Sequence, residues 1–562
     1  VATIAEGNLP PRLPFWPAWP AIYHYGFDLL AAAVHHLSGL PVWWSIDVIT
    51  LAVALAVFWG VAALLRRSGA GMSLAMVGAF FVFFGGGWVP GWFAERIPYW
   101  LTYAEGPLAG MKSQPMLVGN LFNSFALIVH SHPPALGLVC VVAYGHGWLS
   151  VQALTPQPSA RWFAAGLLVL VGGAAALASS SEFALLLAGT AAVVGLRIVR
   201  LLVGRLRRSE AGRHVGWWEV GRDSALLLAI LIVGLLSGGA IADLLLRARD
   251  LPLGSSLGLR GVPGWPLLTG DVVQLNVAWW WDLLLAEFGL PLLLLPVVLW
   301  WCLRSPTPLK SWLLATAAIG FVLPLVLRYE RADYDIARFS RTAGYLWLVL
   351  CALTTVELTR GLHWNRLAYT VLGVFVLGST YMGLSFAISL WSPEGLKAEA
   401  PELRPAQVQL AARVAELVPP AVWILSDNPQ WVASLAGRLA PSTLAPHFIN
   451  GDTGDYGAAT SALDAEAIER LGVAYLHVSS TLYWQWPEEV RAALAEPERF
   501  KLLARREVHW ECSGRRAREW VALYGIVGRY ETEGGGPRLS DDPSDPSLTY
   551  WQPRPLPAPR CP

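Results

Sequence analysis

The 562-residue chain is 55% hydrophobic and only 14% charged, with 41 Lys and Arg against 40 Asp and Glu and a formal net charge of +1. So much apolar surface does not fit inside one water-soluble core, and lipid has to cover part of it. The near-neutral balance lacks the strongly basic face that a nucleic-acid partner requires, so no such partner is expected.

The opening residues, 1–42, are too rich in Pro and Trp to span a bilayer, but their Trp and Tyr suit its interface. Asp28 to Leu37 has helical apolar spacing and is expected to lie flat there. About ten apolar stretches of spanning length follow, near 46–65, 71–92, 134–154, 162–180, 183–203, 224–242, 284–303, 311–328, 342–359 and 367–390. The fold class expected is therefore mainly α: a polytopic α-helical membrane protein with a small extracytoplasmic α/β domain at its C-terminal end.

Orientation follows from the arginines. Arg66 and Arg67, then Arg197, Arg200, Arg205, Arg207, Arg208, Arg213 and Arg222, then Arg304 with Lys310, then Arg360 with Arg366, fall in alternate gaps between the apolar runs. Short gaps rich in Lys and Arg stay cytoplasmic. The outer side then receives residues 1–42, the loops 93–133, 243–283 and 329–341, the tight turn near 181, and everything after about 392. The protein is expected in the plasma (inner) membrane, multi-pass, with both ends of the given sequence extracytoplasmic. Val1 has neither a Met nor an apolar segment before it, so a signal peptide or, in preference, a further span is expected upstream.

The expected domains are an external loop with an interfacial helix (1–42), a transmembrane helical domain (43–391), an extracytoplasmic α/β domain (392–530) and an extended tail (531–562). In the third, VWILSDN reads as a buried strand and PQWVASLAGR as a helix with Pro in its first turn. DAEAIERLG and VAYLHVSS repeat helix and strand, and FKLLARREVHWE and REWVALYGIVGRY read as further strands. Cys140, Cys302 and Cys351 sit in or beside spans as packing residues, whereas Cys512 and Cys561 share the outer side, where a disulfide is chemically possible.

The outer loops carry the candidate chemistry. Tyr23, His24, Tyr25 and Asp28 cluster at the first interface, Glu105, His130 and His132 precede the third span, and Glu182 sits in the tight SSSEF connection. A carboxylate with neutral imidazoles can hold a divalent metal ion or act as base and acid. His130 and His132 in HSHPP are the metal candidates; ordinary hydrogen bonding of interfacial His and Tyr is the bland alternative. The sharpest anomaly is RYERADYDIARFSR, which puts Arg328, Arg331, Arg338 and Arg341 on the side where basic residues should be few. Either Glu330, Asp333 and Asp335 neutralise them locally, or they face an anionic ligand, for which Arg forks match phosphate oxygens. Arg247, Arg249 and Arg260 in the preceding outer loop extend that basic surface.

No P-loop and no Gly-rich βαβ unit is present, which disfavours direct use of a nucleotide. Charges deep within spans are few, with Glu287 the main candidate, which disfavours a secondary transporter.

Many spans, the first external segment EGNLPPRLPFWPAWPAIYHYGFDLLAAA, the external HPP at His132 to Pro134 and the external α/β domain together resemble the GT-C superfamily of membrane glycosyltransferases, the polyprenyl-phosphate-sugar-dependent enzymes of bacteria. The resemblance covers most of the chain as architecture. It implies transfer of a sugar from a lipid-linked sugar donor to an external acceptor, with membrane lipids and a polyprenyl-phosphate sugar as partners. Asp28, Glu105, His130 and His132 become catalytic candidates, and the four arginines of 328–341 become the phosphate-binding ones. In that superfamily the catalytic carboxylate lies in the first external loop just after the first span. This sequence begins within that loop, where Glu6 and Asp28 are the carboxylates present. The alternatives are a non-catalytic GT-C-like scaffold subunit, which has other membrane-protein subunits as partners, and a transporter or flippase.

Overall fold

The computed structural model describes residues 2–5, 12–13, 16–20, 25–85, 132–152, 158–206, 217–238, 257–266, 272–274, 290–329, 333–361, 366, 369–370, 373–374, 405–440, 454–512 and 515–533. In chain order the elements are α1 (Ala2–Ala5), β1 (Arg12–Leu13), β2 (Trp16–Pro20), α2 (Gly26–Ser38), α3 (Val42–Arg67), α4 (Met72–Phe84), α5 (His132–Gln152), α6 (Pro158–Ala178), α7 (Ser180–Leu206) and α8 (Trp217–Ser237). They continue with β3 (Leu257–Leu259), β4 (Gly264–Pro266), β5 (Val272–Gln274), α9 (Leu295–Arg304), α10 (Pro308–Val326), β6 (Leu327–Tyr329) and α11 (Asp333–Gly361). The C-terminal part adds α12 (Pro405–Leu417), β7 (Ile424–Ser426), α13 (Pro429–Leu435), α14 (Gly454–Ala462), α15 (Ala465–Leu471), β8 (Tyr475–Ser479), α16 (Ser480–Gln485), α17 (Glu488–Leu494), β9 (Phe500–Cys512), β10 (Arg515–Ile526) and α18 (Tyr530–Glu533).

Among the described residues seven helices are long and apolar enough to cross a membrane: Val42–Arg67, Pro134–Gln152, Ser159–Ala178, Ser180–Val203, Trp217–Ser237, Pro308–Val326 and Arg338–Leu358. Two shorter apolar helices, Met72–Phe84 and Pro291–Arg304, stand where two more spans were expected, and the stretch 367–390 lies almost wholly outside the described residues. Local chemistry sets the breaks. Gly39 closes α2 in the left-handed conformation, and Pro41 leads into α3. Thr307 caps α10 by accepting the Lys310 N–H at 3.2 Å, with Pro308 at the first helical position.

Small residues let these helices approach closely, as lipid-embedded packing requires. A Cβ on Gly234 of α8 would lie 2.2 Å from the Phe183 ring of α7, and one on Gly60 of α3 would lie 2.6 Å from Val142 of α5. The central helix is α11, whose apolar window is 89% buried, against 28% for α8. Its Leu346, Leu350, Ala352 and Leu353 share one continuous core with Leu65, Phe81, Trp148 and Trp312.

The segment 329–341 was expected to be an outer loop. Instead β6 pairs antiparallel with β3, and α11 already begins at Asp333, so Arg338 and Arg341 are helical. The charged residues dominated the sequence reading there, but DYDIARFSR also keeps an apolar face at helical spacing, with Ile336 buried. His132 likewise opens α5 and does not lie in a loop before it.

The C-terminal sheet has the order β7-β8-β10-β9, with β7 and β8 parallel and the other neighbours antiparallel. Side chains alternate between two cores. Ile424, Tyr475, Val521 and Leu523 pack with α12, whereas Leu425, Leu476, Val478 and Ala522 pack with α14 and α15. Cover on both faces explains why β7 and β8 are buried along their whole length. The helix α13 touches α1, which packs in turn on α2.

Candidate functional site

The helix contacts sort the polar residues between the two ends of the bundle. At one end lie the tips of α3, α5, α7 and α11, and the starts of α8 and α10. There Asp223, fully buried, accepts from Arg197, from Arg222 at 2.8 Å and from Gln152 at 3.2 Å. Lys310, also buried, reaches Glu357 at 2.6 Å, and the Trp301 indole N–H donates to the same carboxylate oxygen at 2.8 Å. Arg67 bonds the His146 carbonyl at 3.0 Å and the Ser150 hydroxyl at 3.2 Å. Of the basic residues read from the sequence, Arg67, Arg197, Arg222 and Lys310 thus gather at one end, where they tie the helix ends together.

The opposite end is built differently. The α6–α7 corner is so tight that Ser179 alone separates the two helices, which places Glu182 in the first turn of α7. Glu182 is fully buried. Its Oε2 accepts from Ser179 Oγ and from Ser181 Oγ, the latter at 2.8 Å, and its Oε1 accepts from Thr342 Oγ1 of α11. On the α5 side Gly137 lies flush against it, where an added Cβ would stand 2.8 Å from Glu182 Cγ. The first turn of α2 closes the same end: a Cβ on Gly26 would lie 3.0 Å from the Leu177 carbonyl. Tyr25 Oη comes within 2.9 Å of the corresponding position on Gly238, just past α8.

Among the phosphate candidates, Arg338 and Arg341 lie half-buried on α11, with Arg341 directly preceding Thr342. Arg328 is exposed on β6, whereas Arg331 lies outside the described residues. Arg260 donates its N–H to the Val326 carbonyl at 2.8 Å and its Nε to the Pro324 carbonyl at 3.0 Å, and so caps α10. Asp28, half-buried, occupies the first turn of α2 at this same end. Glu105 and His130 lie outside the described residues, and of His132 only the backbone is described. Arg247, Arg249, Glu287 and Cys561 also fall outside them.

The structure therefore brings Asp28, Arg328, Arg338 and Arg341 to one end and adds Glu182, whose partners the sequence reading missed. The available signal was an acidic residue in a Ser-rich hinge between two apolar runs. Among the described residues no three His, Cys, Asp or Glu side chains converge as metal ligands.

No protein-family model and no curated protein matches the sequence. In fold the chain is similar to the oligosaccharyltransferase of Archaeoglobus fulgidus in its apo form, at 12% identity and a TM-score of 0.42, over 92% of this chain and 69% of that one. It is similar to ArnT from Cupriavidus metallidurans in the apo state, at 13% identity and a TM-score of 0.45, over 93% of this chain and 92% of that one. For the same ArnT bound to undecaprenyl phosphate the values are 12% identity, a TM-score of 0.46 and coverage of 93% and 92%. The architecture itself rests on the described residues, with their seven helices of spanning length and the four-stranded C-terminal sheet.

Proposed function

We propose that the chain is a GT-C-type membrane glycosyltransferase that moves a sugar from a lipid-phosphate carrier to an extracytoplasmic acceptor. The observation that carries this reading is the bond from Thr342 to Glu182, which pins the turn of α11 bearing Arg338 and Arg341 to the α6–α7 corner. The arginine rule assigns the Asp223 and Lys310 end to the cytoplasm and the Glu182 end to the outside. Arg338 and Arg341, with Arg328, are then the groups for a lipid-linked phosphate, as fixed guanidinium groups at membrane-surface depth. As the phosphate departs from the sugar, their charge stabilises the oxygen that takes up the electron pair. Asp28 is the proposed base for the acceptor hydroxyl, and Glu182 a positioning residue that holds the arginine-bearing turn. Glu105, His130, His132 and Arg331 keep their proposed places in this site, and no step is routed through a metal ion.

One observation favours a scaffold subunit instead. Both oxygens of Glu182 are taken up by hydroxyls of the protein itself, as in a clasp that only fixes helices. Purified full-length protein in nanodiscs, given a radiolabelled undecaprenyl-phosphate sugar, distinguishes the two. Sugar release or transfer that Asp28→Asn and the Arg338→Ala, Arg341→Ala pair abolish is expected of the enzyme. Absence of turnover together with wild-type binding of undecaprenyl phosphate by the double variant would leave the scaffold.

A further inference from the structure

Residues 251–270 contain a single charged side chain, Arg260, although they connect the spanning helices α8 and α10 outside either one. Connections that water surrounds are ordinarily polar. Here the turn leading from β3 to β4 instead presents Leu259, 79% exposed, and Val262, 55% exposed. Isolated apolar side chains on a surface are ordinary, so what decides their meaning is the depth at which these two are held.

Strand pairing fixes that depth. β3 runs antiparallel to β6 with Leu259 opposite Leu327, the residue directly after the end of α10. Arg260 then donates its backbone N–H to the Val326 carbonyl at 2.8 Å and its Nε to the Pro324 carbonyl at 3.0 Å. α10 has 19 residues and is apolar enough to cross a membrane. At 1.5 Å per residue it measures about 28 Å, close to the roughly 30 Å of a bilayer's hydrocarbon core. Its last turn therefore lies at the boundary between acyl chains and headgroups, and the β3–β4 turn is tied to that same level.

The neighbours of the turn decide what lies against it. Val322, one helical turn before Val326, is 51% exposed. Residues four apart share a helix face, so the apolar surface of the turn continues a lipid-facing surface of the span. Arg260, the one charge, is bonded to the carbonyl end of α10, where the helix dipole favours a cation, and so does not draw the turn into water. The outside of the turn is open: a Cβ on Gly258 or Gly261 would meet no atom within 4 Å.

We propose that the β3–β4 turn is a membrane anchor, in which Leu259 and Val262 insert among the acyl chains just beneath the headgroups at the Val326 end of α10. The partner is the phospholipid bilayer itself, whatever reaction the protein catalyses. Because β3 is paired with β6, the anchor also holds the segment that enters α11 at a constant depth.

The test uses the full-length protein in phosphatidylcholine nanodiscs, with Cys512 and Cys561 replaced by Ser and one cysteine introduced as Leu259→Cys or Val262→Cys. Both positions are exposed, so folding tolerates the exchange. An NBD fluorophore on that cysteine is compared with the same label at Trp484→Cys, an exposed site of the α/β domain. At both turn positions the emission is expected to be blue-shifted relative to the control. Phospholipid carrying a nitroxide near the top of its acyl chain should quench it several-fold more strongly than the control, and aqueous iodide several-fold less. Iodide access equal to that of the control at either position would overturn the proposal. So would a label shielded from iodide yet untouched by the nitroxide lipid, since protein would then cover the turn.

Discussion

Thr342 of α11 donates its hydroxyl to the Glu182 carboxylate of α7 across 160 residues of sequence, and both side chains are fully buried. Thr342→Val keeps the shape but removes the donor, leaving Oε1 of a buried carboxylate unpaired. The expected cost is about 1–3 kcal/mol, read from chemical unfolding in detergent micelles. If Glu182 acts by positioning, the same variant raises KM for the lipid-linked donor more than it lowers kcat. A KM at the wild-type value would show that the Thr342 bond does not hold the arginine-bearing turn in a working position.

Arg338 and Arg341 lie on one face of α11, three residues apart in the sequence. If each contributes a charge-assisted contact to a phosphate, replacing either by Ala is expected to weaken binding of undecaprenyl phosphate about 10- to 100-fold. Lys at the same position keeps the charge without the fork and restores only part of it. Affinities measured by microscale thermophoresis that are unchanged in both Ala variants would remove these residues from the site.

Lys310 and Glu357 form the buried pair at the opposite end, 2.6 Å apart, with side-chain exposures of 2% and 23%. Lys310→Met alone strands a carboxylate and is expected to destabilise by about 3–5 kcal/mol. Adding Glu357→Gln should recover much of that loss, because the desolvation cost disappears with the charges. A double-mutant cycle decides the matter: additive losses would mean that the two residues do not act as a pair.

His477 sets a pH dependence in the α/β domain. Its pKa is lowered from the ordinary 6.5, chiefly by burial, and the pull of Asp427 does not offset this. The folded form therefore binds fewer protons than the unfolded one between the two pKa values, and stability rises with pH there. The full contribution is present above about pH 6.5 and declines as the pH falls toward the folded-state value. His477→Gln should flatten the acid side of the stability profile below about pH 6.5. An unchanged profile would indicate that the acid sensitivity comes from other groups.

Membrane sidedness is open to direct labelling. Cys140, Cys302 and Cys351 are free but buried, so once Cys512 and Cys561 are replaced by Ser a cysteine introduced at an exposed site will dominate the reaction. Trp484→Cys should react with a membrane-impermeant maleimide from outside intact cells, and Arg66→Cys only after the cells are opened. The reverse pattern would invert the orientation read from the arginines.

Much of the architecture was legible in the chain because a span is a local property. Twenty or so apolar residues in a row declare a membrane helix whatever lies elsewhere, and α3, α7 and α10 stand close to where their composition puts them. The strands VAYLHVSS and REWVALYGIVGRY announced themselves in the same way through β-branched and aromatic runs. The region 329–341 was misread because a dense run of charges resembles a surface loop, whereas a helix can bury one face of the same residues.

The sequence by itself determined that the chain lives in lipid, which gaps between its spans are basic, and that its C-terminal part alternates helix and strand, since each of these depends on neighbours a few residues apart. Only the tertiary structure decided that Glu182 meets Thr342, that Asp223 gathers Arg197 and Arg222, and that Asp427 lies beside His477. Those contacts arise where separate elements cross. Helix packing and strand register fix the crossings, and neither is written in any single stretch of the chain.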